Sequence, residues 1–366
     1  MDTTLLIILV VAIVVVIILR VMLRSFRQRQ AGRRRGETWE RGEEAPLLEK
    51  TTPIAVVVPA EAKPRVEKDE KAVEISRVYK SFGGNEVVKD VSFTIAPGEV
   101  FGLVGPNGAG KTTTIRMLMD IIKPDSGEIR VFDQPLGEET KNRIGYLPEE
   151  RGLYQKMRIS DSLVYLAALK NVESSVARGR AEELLRQVDM LPHKGKKINE
   201  LSRGMGQIIQ FLVTIIHDPE LIILDEPFAG LDPVNRKLLK DIVLELKGQG
   251  KAVILSTHMM NEVEEMCDRI LMIDKGRTVL YGELAEIKWR YRNNSVFVEC
   301  EGAIGQIDGL VGRKEHGKYV ELFLDGETPP QRVLSQLVEK GVRVNRFEVS
   351  TPSLNEVFLQ VVGKEQ

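Results

Sequence analysis

In Gly105-Pro106-Asn107-Gly108-Ala109-Gly110-Lys111-Thr112-Thr113, the first eight residues fit the pattern glycine, four residues, glycine, lysine, threonine. A strand-like run, Glu99 to Val104, leads into them, and a helix is expected from Thr113 to Met119. Glycines let the backbone curl so that several amides point at one anion, and the following helix adds its positive end. Lys111 supplies a point charge for the β and γ phosphates of a nucleotide, and Thr112 a hydroxyl for Mg²⁺. A chance flexible turn is the alternative, and the complete pattern between strand and helix argues against it. Further on, Leu221-Ile222-Ile223-Leu224 is wholly apolar, as a central strand covered on both faces would be. It ends in Asp225-Glu226-Pro227. Asp225 is placed to hold Mg²⁺, directly or through water, and Glu226 to polarise an attacking water. Alone, Glu226 would read as a strand-end cap or an ion-pair partner. Its company with the phosphate loop favours phosphoryl transfer to water.

Together with three further motifs, these pieces resemble the ATPase subunits of ATP-binding cassette (ABC) transporters over roughly residues 72–290. Leu201-Ser202-Arg203-Gly204-Met205 matches the family signature at its first, second and fourth positions. Arg203 stands where glycine is most familiar, and Met205 replaces the common glutamine. Gly230-Leu231-Asp232-Pro233 resembles the loop that crosses the dimer centre. Ser256-Thr257-His258 ends another apolar run, Ala252 to Leu255, and matches the histidine switch. The resemblance implies ATP and Mg²⁺ as ligands and two cassettes packed head to tail around two nucleotides. Ser202 and the Gly204 amide would then contact the γ phosphate bound by the other cassette, and His258 would orient the water with Glu226. Phe82, before the Gly83-Gly84 turn, is the candidate for stacking on adenine, with Tyr79 as a rival. Glu149, in Gly145-Tyr146-Leu147-Pro148-Glu149, occupies the family's usual glutamine position. There it would offer Mg²⁺ a charged oxygen instead of a neutral one.

These groups need a doubly wound α/β cassette to position them, and the rest of the chain divides around it. The chain has 366 residues, 43% hydrophobic and 29% charged, with a formal net charge of −1. That charge offers no bulk argument for a nucleic-acid partner, and none is expected. Two cysteines, Cys267 and Cys300, follow no metal-ligand spacing. Residues Leu5 to Leu19 are all apolar, and seven arginines follow between Arg20 and Arg35. This pattern predicts a transmembrane anchor over 1–24, touching membrane lipid, with the remainder on the cytoplasmic side of the cell (inner) membrane. Residues 25–71, with four prolines and no sustained period, read as a flexible linker.

Within the cassette (72–290), a helical subdomain is expected over about 150–210. Leu163, Leu166, Leu169 and Val172 recur at helical spacing there, followed by Leu184, Leu185 and Val188. A small α+β domain is expected over 291–366, with strands at Ser295 to Glu301, Tyr319 to Leu324 and Val342 to Val349. Helices are expected at Pro330 to Lys340 and Leu354 to Val362.

The expected fold class is therefore a P-loop NTPase cassette, preceded by one transmembrane helix and followed by an α+β appendage. The expected function is ATP hydrolysis driving transport through a separate multi-spanning permease. The partner cassette is a second copy or a related subunit. The alternatives are an ATPase that remodels a membrane or envelope complex, and a weakly hydrolysing nucleotide-gated adaptor.

Overall fold

A computed structural model describes residues 71–150, 152–292 and 294–362. Its elements run β1 (Val73–Phe82), β2 (Asn85–Ile95), β3 (Val100–Val104), α1 (Lys111–Leu118), β4 (Ser126–Val131), β5 (Gln134–Pro135), α2 (Glu138–Asn142) and β6 (Ile144–Leu147). Then come α3 (Ile159–Ala168), α4 (Ser174–Gln187), α5 (Arg203–Ile215), β7 (Leu221–Asp225), α6 (Pro233–Gly248), β8 (Ala252–Thr257), α7 (Met260–Met266), β9 (Arg269–Asp274), β10 (Arg277–Glu283) and α8 (Leu284–Arg290). The last six are β11 (Ser295–Glu301), β12 (Leu310–Glu315), β13 (Val320–Leu324), α9 (Pro330–Glu339), β14 (Arg343–Val349) and α10 (Leu354–Val362).

The central sheet has the order β10-β9-β3-β8-β7-β6. It is parallel except for β10, which pairs antiparallel with β9. Strands β3, β7 and β8 are buried at every position, which is why they read as unbroken apolar runs. Alternate side chains serve two cores. Ile222 and Leu224 face the helices, packing with Leu212, Leu239 and Val243. Leu221 and Ile223 face an antiparallel sheet of order β2-β1-β4-β5, packing with Val73, Ile75 and Phe93 and with Ile115 of α1. The phosphate loop leaves the sheet between these layers.

The helical insert keeps a narrower stripe than its leucine spacing predicts. Ile159, Leu163 and Ala167 are buried on α3, one per helical turn. Leu169 lies beyond the helix end and is 59% exposed. On α4 the buried face is Ala177, Ala181, Leu184 and Leu185. The appendage carries an antiparallel sheet, β12-β13-β11-β14. Its small core joins Val296, Val298 and Leu322 to Val333 and Leu337 of α9. Its last helix does not join that core. Leu354 and Val357 of α10 pack into the core of the cassette instead, and Leu354 N donates to Glu264 Oε1 at 2.5 Å.

Among the described residues no helix is long and apolar enough to cross a membrane. The longest, α6, has 16 residues. At 1.5 Å per residue it spans about 24 Å, short of a hydrocarbon core of about 30 Å. The span expected over 1–24 lies outside the described residues, as does the linker over 25–70. The fold class is accordingly corrected to a P-loop cassette with a mixed α/β core and a small α+β appendage. The transmembrane helix, its lipid contact and the single-pass placement in the inner membrane are withdrawn with it.

His217 follows α5, and its Nε2 lies 3.1 Å from the Ile144 carbonyl oxygen. Burial pulls its pKa down to about 4. The unfolded chain, with histidine near 6.5, therefore takes up a proton that the native state refuses. This source of stability is complete above pH 6.5 and drains away as the pH falls toward 4. His217→Gln should flatten the acid limb, removing about 2–3 kcal/mol of the stability lost between pH 7 and pH 4.5. Urea midpoints at the two pH values check this.

Candidate functional site

The phosphate loop is shaped by three glycines with positive φ: 154° at Gly105, 78° at Gly108 and 109° at Gly110. A Cβ at Gly105 would sit 2.1 Å from the Ile273 carbonyl oxygen, and one at Gly110 would sit 2.8 Å from that of Val87. Larger residues are thus excluded at Gly105 and Gly110 by packing as well as by conformation. Within the loop, Ala109 N donates to Pro106 O at 3.2 Å and Thr114 N to Gly110 O at 2.9 Å. The amides of Lys111, Thr112 and Thr113 open α1, where a helix has no acceptors of its own to offer. With Asn107, Gly108 and Gly110 they form a backbone cradle suited to an anion. Lys111 is 6% exposed, and its Nζ donates to Gly105 O at 2.7 Å and to Pro106 O at 3.2 Å. Burial lowers its pKa, while the charges of Glu226, Asp225 and Glu149 oppose that shift.

Parallel pairing of β7 with β8 sets Asp225 opposite Ser256. Ser256 Oγ donates to Asp225 Oδ1 at 2.7 Å, and Thr112 Oγ1 to Asp225 Oδ2 at 3.2 Å. The fold therefore brings Thr112 and Asp225 together. Asp225 is 1% exposed. Burial raises its pKa, the Ser256 and Thr112 hydroxyls lower it, and the adjacent Glu226 charge raises it again. The next residue, Glu226, holds a left-handed backbone with φ 49°, a strained conformation for a residue with a side chain. That turn lifts its carboxylate off the strand end. Glu226 Oε2 accepts from Thr257 Oγ1 at 3.1 Å, and Oε1 accepts from His258 N at 3.0 Å. His258 Nδ1 lies 2.7 Å from the same Oε1. A carboxylate only accepts, so Nδ1 carries a proton in this arrangement.

The remaining expected residues fall into two groups. Glu149 is exposed at the end of β6, close enough for its charge to act on Lys111. Gln210, buried on α5, grips the backbone on both sides of it, donating to Pro148 O at 3.4 Å and Glu150 O at 3.1 Å. Ser202 caps α5, its Oγ accepting from Met205 N at 3.3 Å. Asp232 caps α6, accepting from Val234 N at 3.0 Å and Asn235 N at 3.1 Å. A Cβ on Gly204 would meet Asn235 Nδ2 at 3.1 Å and Asp232 Oδ2 at 3.7 Å, so these two helix starts abut. Among the described residues, no hydrogen bond joins Ser202, Gly204 or Asp232 to loop 105–113. Phe82, 49% exposed, ends β1 beside the Gly83-Gly84 turn. The next strand of that hairpin passes the loop at Val87, against Gly110. Tyr79, the rival, is 37% exposed.

Sequence reasoning gave no roles to Ser256, Thr257 or Gln210. A signal existed for the first two: they are the only polar residues of an otherwise apolar buried strand. Gln210 is a polar residue at a buried position of an amphipathic helix, a weaker sign of the same kind.

A family profile described as ABC transporter matches residues 88–229. A second, described as ATP-binding protein DrrA1-3-like, C-terminal domain, matches residues 282–362. The uncharacterized ABC transporter ATP-binding protein YhaQ of Bacillus subtilis (strain 168) is 40% identical over 292 residues, 79% of this chain and 98% of that protein. The chain belongs to the ABC transporter ATP-binding proteins. Nod factor export ATP-binding protein I of Rhizobium sp. (strain N33) is 33% identical over 303 residues, 80% of this chain and 98% of its own length. A solved ATP binding subunit of an ABC transporter is 30% identical, with a TM-score of 0.57 over 60% of this chain and 93% of that one. This ABC subunit hydrolyses ATP and energises transport through a partner permease.

Proposed function

We propose that hydrolysis uses MgATP, held by the cradle from Gly105 to Thr113 and attacked by a water that Glu226 activates. The observation that carries this reading is the meeting of three chain segments at one point. Thr112 from the loop reaches Asp225 at the end of β7, and Glu226 beside it reaches His258 at the end of β8. Lys111 and the loop amides bind the β and γ phosphates. Phe82 lies against adenine, and His258 fixes the carboxylate that takes the water's proton.

The donors at Thr112 and Asp225 suit a hard divalent cation: one hydroxyl and one carboxylate, both oxygen. Among the described residues, no group of three or more His, Cys, Asp or Glu side chains could hold a metal. Thr112 and Asp225 would hold Mg²⁺ as one of the few-protein-ligand sites that ion commonly uses. When bound, it neutralises charge on the triphosphate. Glu149 is a third oxygen donor on this reading, and its charge also acts on Lys111.

Catalysis in this proposal requires a second cassette. Ser202 and the Gly204 amide open α5 with a hydroxyl and unpaired helix amides, an anion-seeking surface with no phosphate loop of its own beside it. Facing a second copy or a related subunit, it closes on the γ phosphate held there, with Asp232 at the crossing. Residues 72–290 form the motor, and residues 291–366 support it.

Asp225→Asn tests the metal assignment. It keeps the shape and removes the charge, so the Mg²⁺ concentration for half-maximal ATP hydrolysis should rise at least about tenfold. A metal requirement unchanged in Asp225→Asn would reject this ligand.

A further inference from the structure

Glu262 is 0% exposed. It sits on α7, four residues after His258 and on the helix that His258 leads into. Two cations from α6 meet its carboxylate. Arg236 Nη1 lies 3.4 Å from Oε1, and Lys240 Nζ pairs with Oε2 and also with Glu265. These two close cations are what hold the Glu262 charge in the interior. Burial works against the Lys240 charge, yet Glu262 and Glu265 raise its pKa.

A fully buried carboxylate is a poor choice for stability alone. Desolvation costs several kcal/mol per ion, and a packed apolar residue in its place is often as stable. What distinguishes this carboxylate is where its two partners lead. Arg236 Nη2 donates to Leu231 O at 3.3 Å, inside the Gly230–Asp232 loop. Lys240 Nζ stands 5.7 Å from the centre of the Phe228 ring, two residues past Glu226. One buried charge thus gathers the helix after His258, the turn after Glu226 and the loop that caps α6. Such a network has few alternative arrangements, because withdrawing either cation leaves the Glu262 carboxylate less well paired out of water.

We propose that Glu262 is a positioning residue for hydrolysis, fixing His258 and the Gly230–Asp232 loop in a common arrangement through Arg236 and Lys240. This rests on the roles of Glu226 and His258 proposed above. It acts on the rate of the chemical step and leaves ATP binding at the phosphate loop alone.

The test uses the purified full-length chain and compares wild type, Glu262→Gln, Arg236→Met, His258→Ala and the double variant Glu262→Gln/His258→Ala. Steady-state ATP hydrolysis and thermal melting are measured for each. Glu262→Gln should lower kcat at least tenfold with KM for ATP within twofold. The double variant should be no slower than His258→Ala, because both changes break the same arrangement. A kcat within twofold of wild type in Glu262→Gln, beside an inactive His258→Ala, overturns the positioning role and leaves the site reading intact. Losses that multiply in the double variant also overturn it, as does a lowered melting temperature with unchanged kcat. Wild-type turnover in His258→Ala overturns the site reading and this inference together. Should Glu262→Gln fail to fold, Arg236→Met decides, since it cuts the link to Leu231 and leaves Lys240 on the carboxylate. A loss confined to kcat supports the role, and an unchanged kcat rejects it.

Discussion

Glu226→Gln should lower steady-state ATP turnover roughly 10³-fold, about 4 kcal/mol in the barrier, while ATP still binds. The amide has the shape of the carboxylate and can occupy the same left-handed position at the end of β7, but it cannot accept a proton from water. Its oxygen still accepts from Thr257 or His258, so the local fold survives. The backbone strain at φ 49° remains as well, because the substitution leaves the Cβ in place. The expected signature is a fall in kcat with KM for ATP nearly unchanged, read by phosphate release. Equal hydrolysis by wild type and Glu226→Gln would remove Glu226 from the role of base.

Lys111→Ala should act on the other half of the reaction, weakening ATP binding by roughly 10- to 150-fold. That range corresponds to the loss of charged hydrogen bonds worth about 1.5–3 kcal/mol. Lys111 is buried, with its Nζ turned onto Gly105 O and Pro106 O. Burial disfavours its charge, and three carboxylates favour it: Glu226, Asp225 and Glu149. A phosphate brought to the cradle would meet that charge at the cost of two carbonyl contacts. Titration calorimetry on Lys111→Ala and wild type measures the difference. An unchanged affinity would reassign phosphate binding to the amides alone.

What could be read without the structure depended on how far each element's environment marks its residues. Strand β7 was legible because burial on both faces leaves only Leu and Ile until the carboxylates emerge. The limits of α10 were legible from Leu354 to Val362, but its packing was not. Its apolar face would serve the appendage or the cassette equally well, and only tertiary contact sends Leu354 and Val357 into the cassette core. Strand β12 carries an exposed edge, with five of its six residues exposed, and so has no apolar period to betray it. Helix α6 is the clearest omission. Asp232 at its cap, Pro233 in its first turn and Leu239, Ile242, Val243 and Leu246 on its buried face make a full helical pattern. Reading Gly230 to Pro233 only as a motif hid the helix that begins there. The leucine stripe on α3 failed differently: helical spacing was projected past Ala168, where the helix stops, and Leu169 came out exposed.

At the site, Glu226 lies near His258 because β7 and β8 are neighbours, and Thr112 reaches Asp225 across β8, which lies between β3 and β7; residue pattern pointed to the second pair and the family resemblance to the first. Neither could foretell the supports. Ser256 on Asp225, Thr257 on Glu226 and Gln210 astride Glu149 are bonds between segments far apart in the chain. Such bonds depend on strand register and helix packing. The Arg203 departure from the family signature also acquires a structural setting. Its guanidinium lies against Gly230, where a Cβ would come within 2.9 Å of Cζ. Gly230, with φ 72°, leaves room for the side chain to cross the loop.

Closure of two cassettes over ATP is tested most directly by the structure of the Glu226→Gln chain loaded with ATP and Mg²⁺. Two copies should lie head to tail, with Ser202 and the Gly204 amide of one copy touching the triphosphate held by Gly105–Thr113 of the other. A loaded chain whose nucleotide meets only its own loop, with Ser202 left in solvent, would contradict the account.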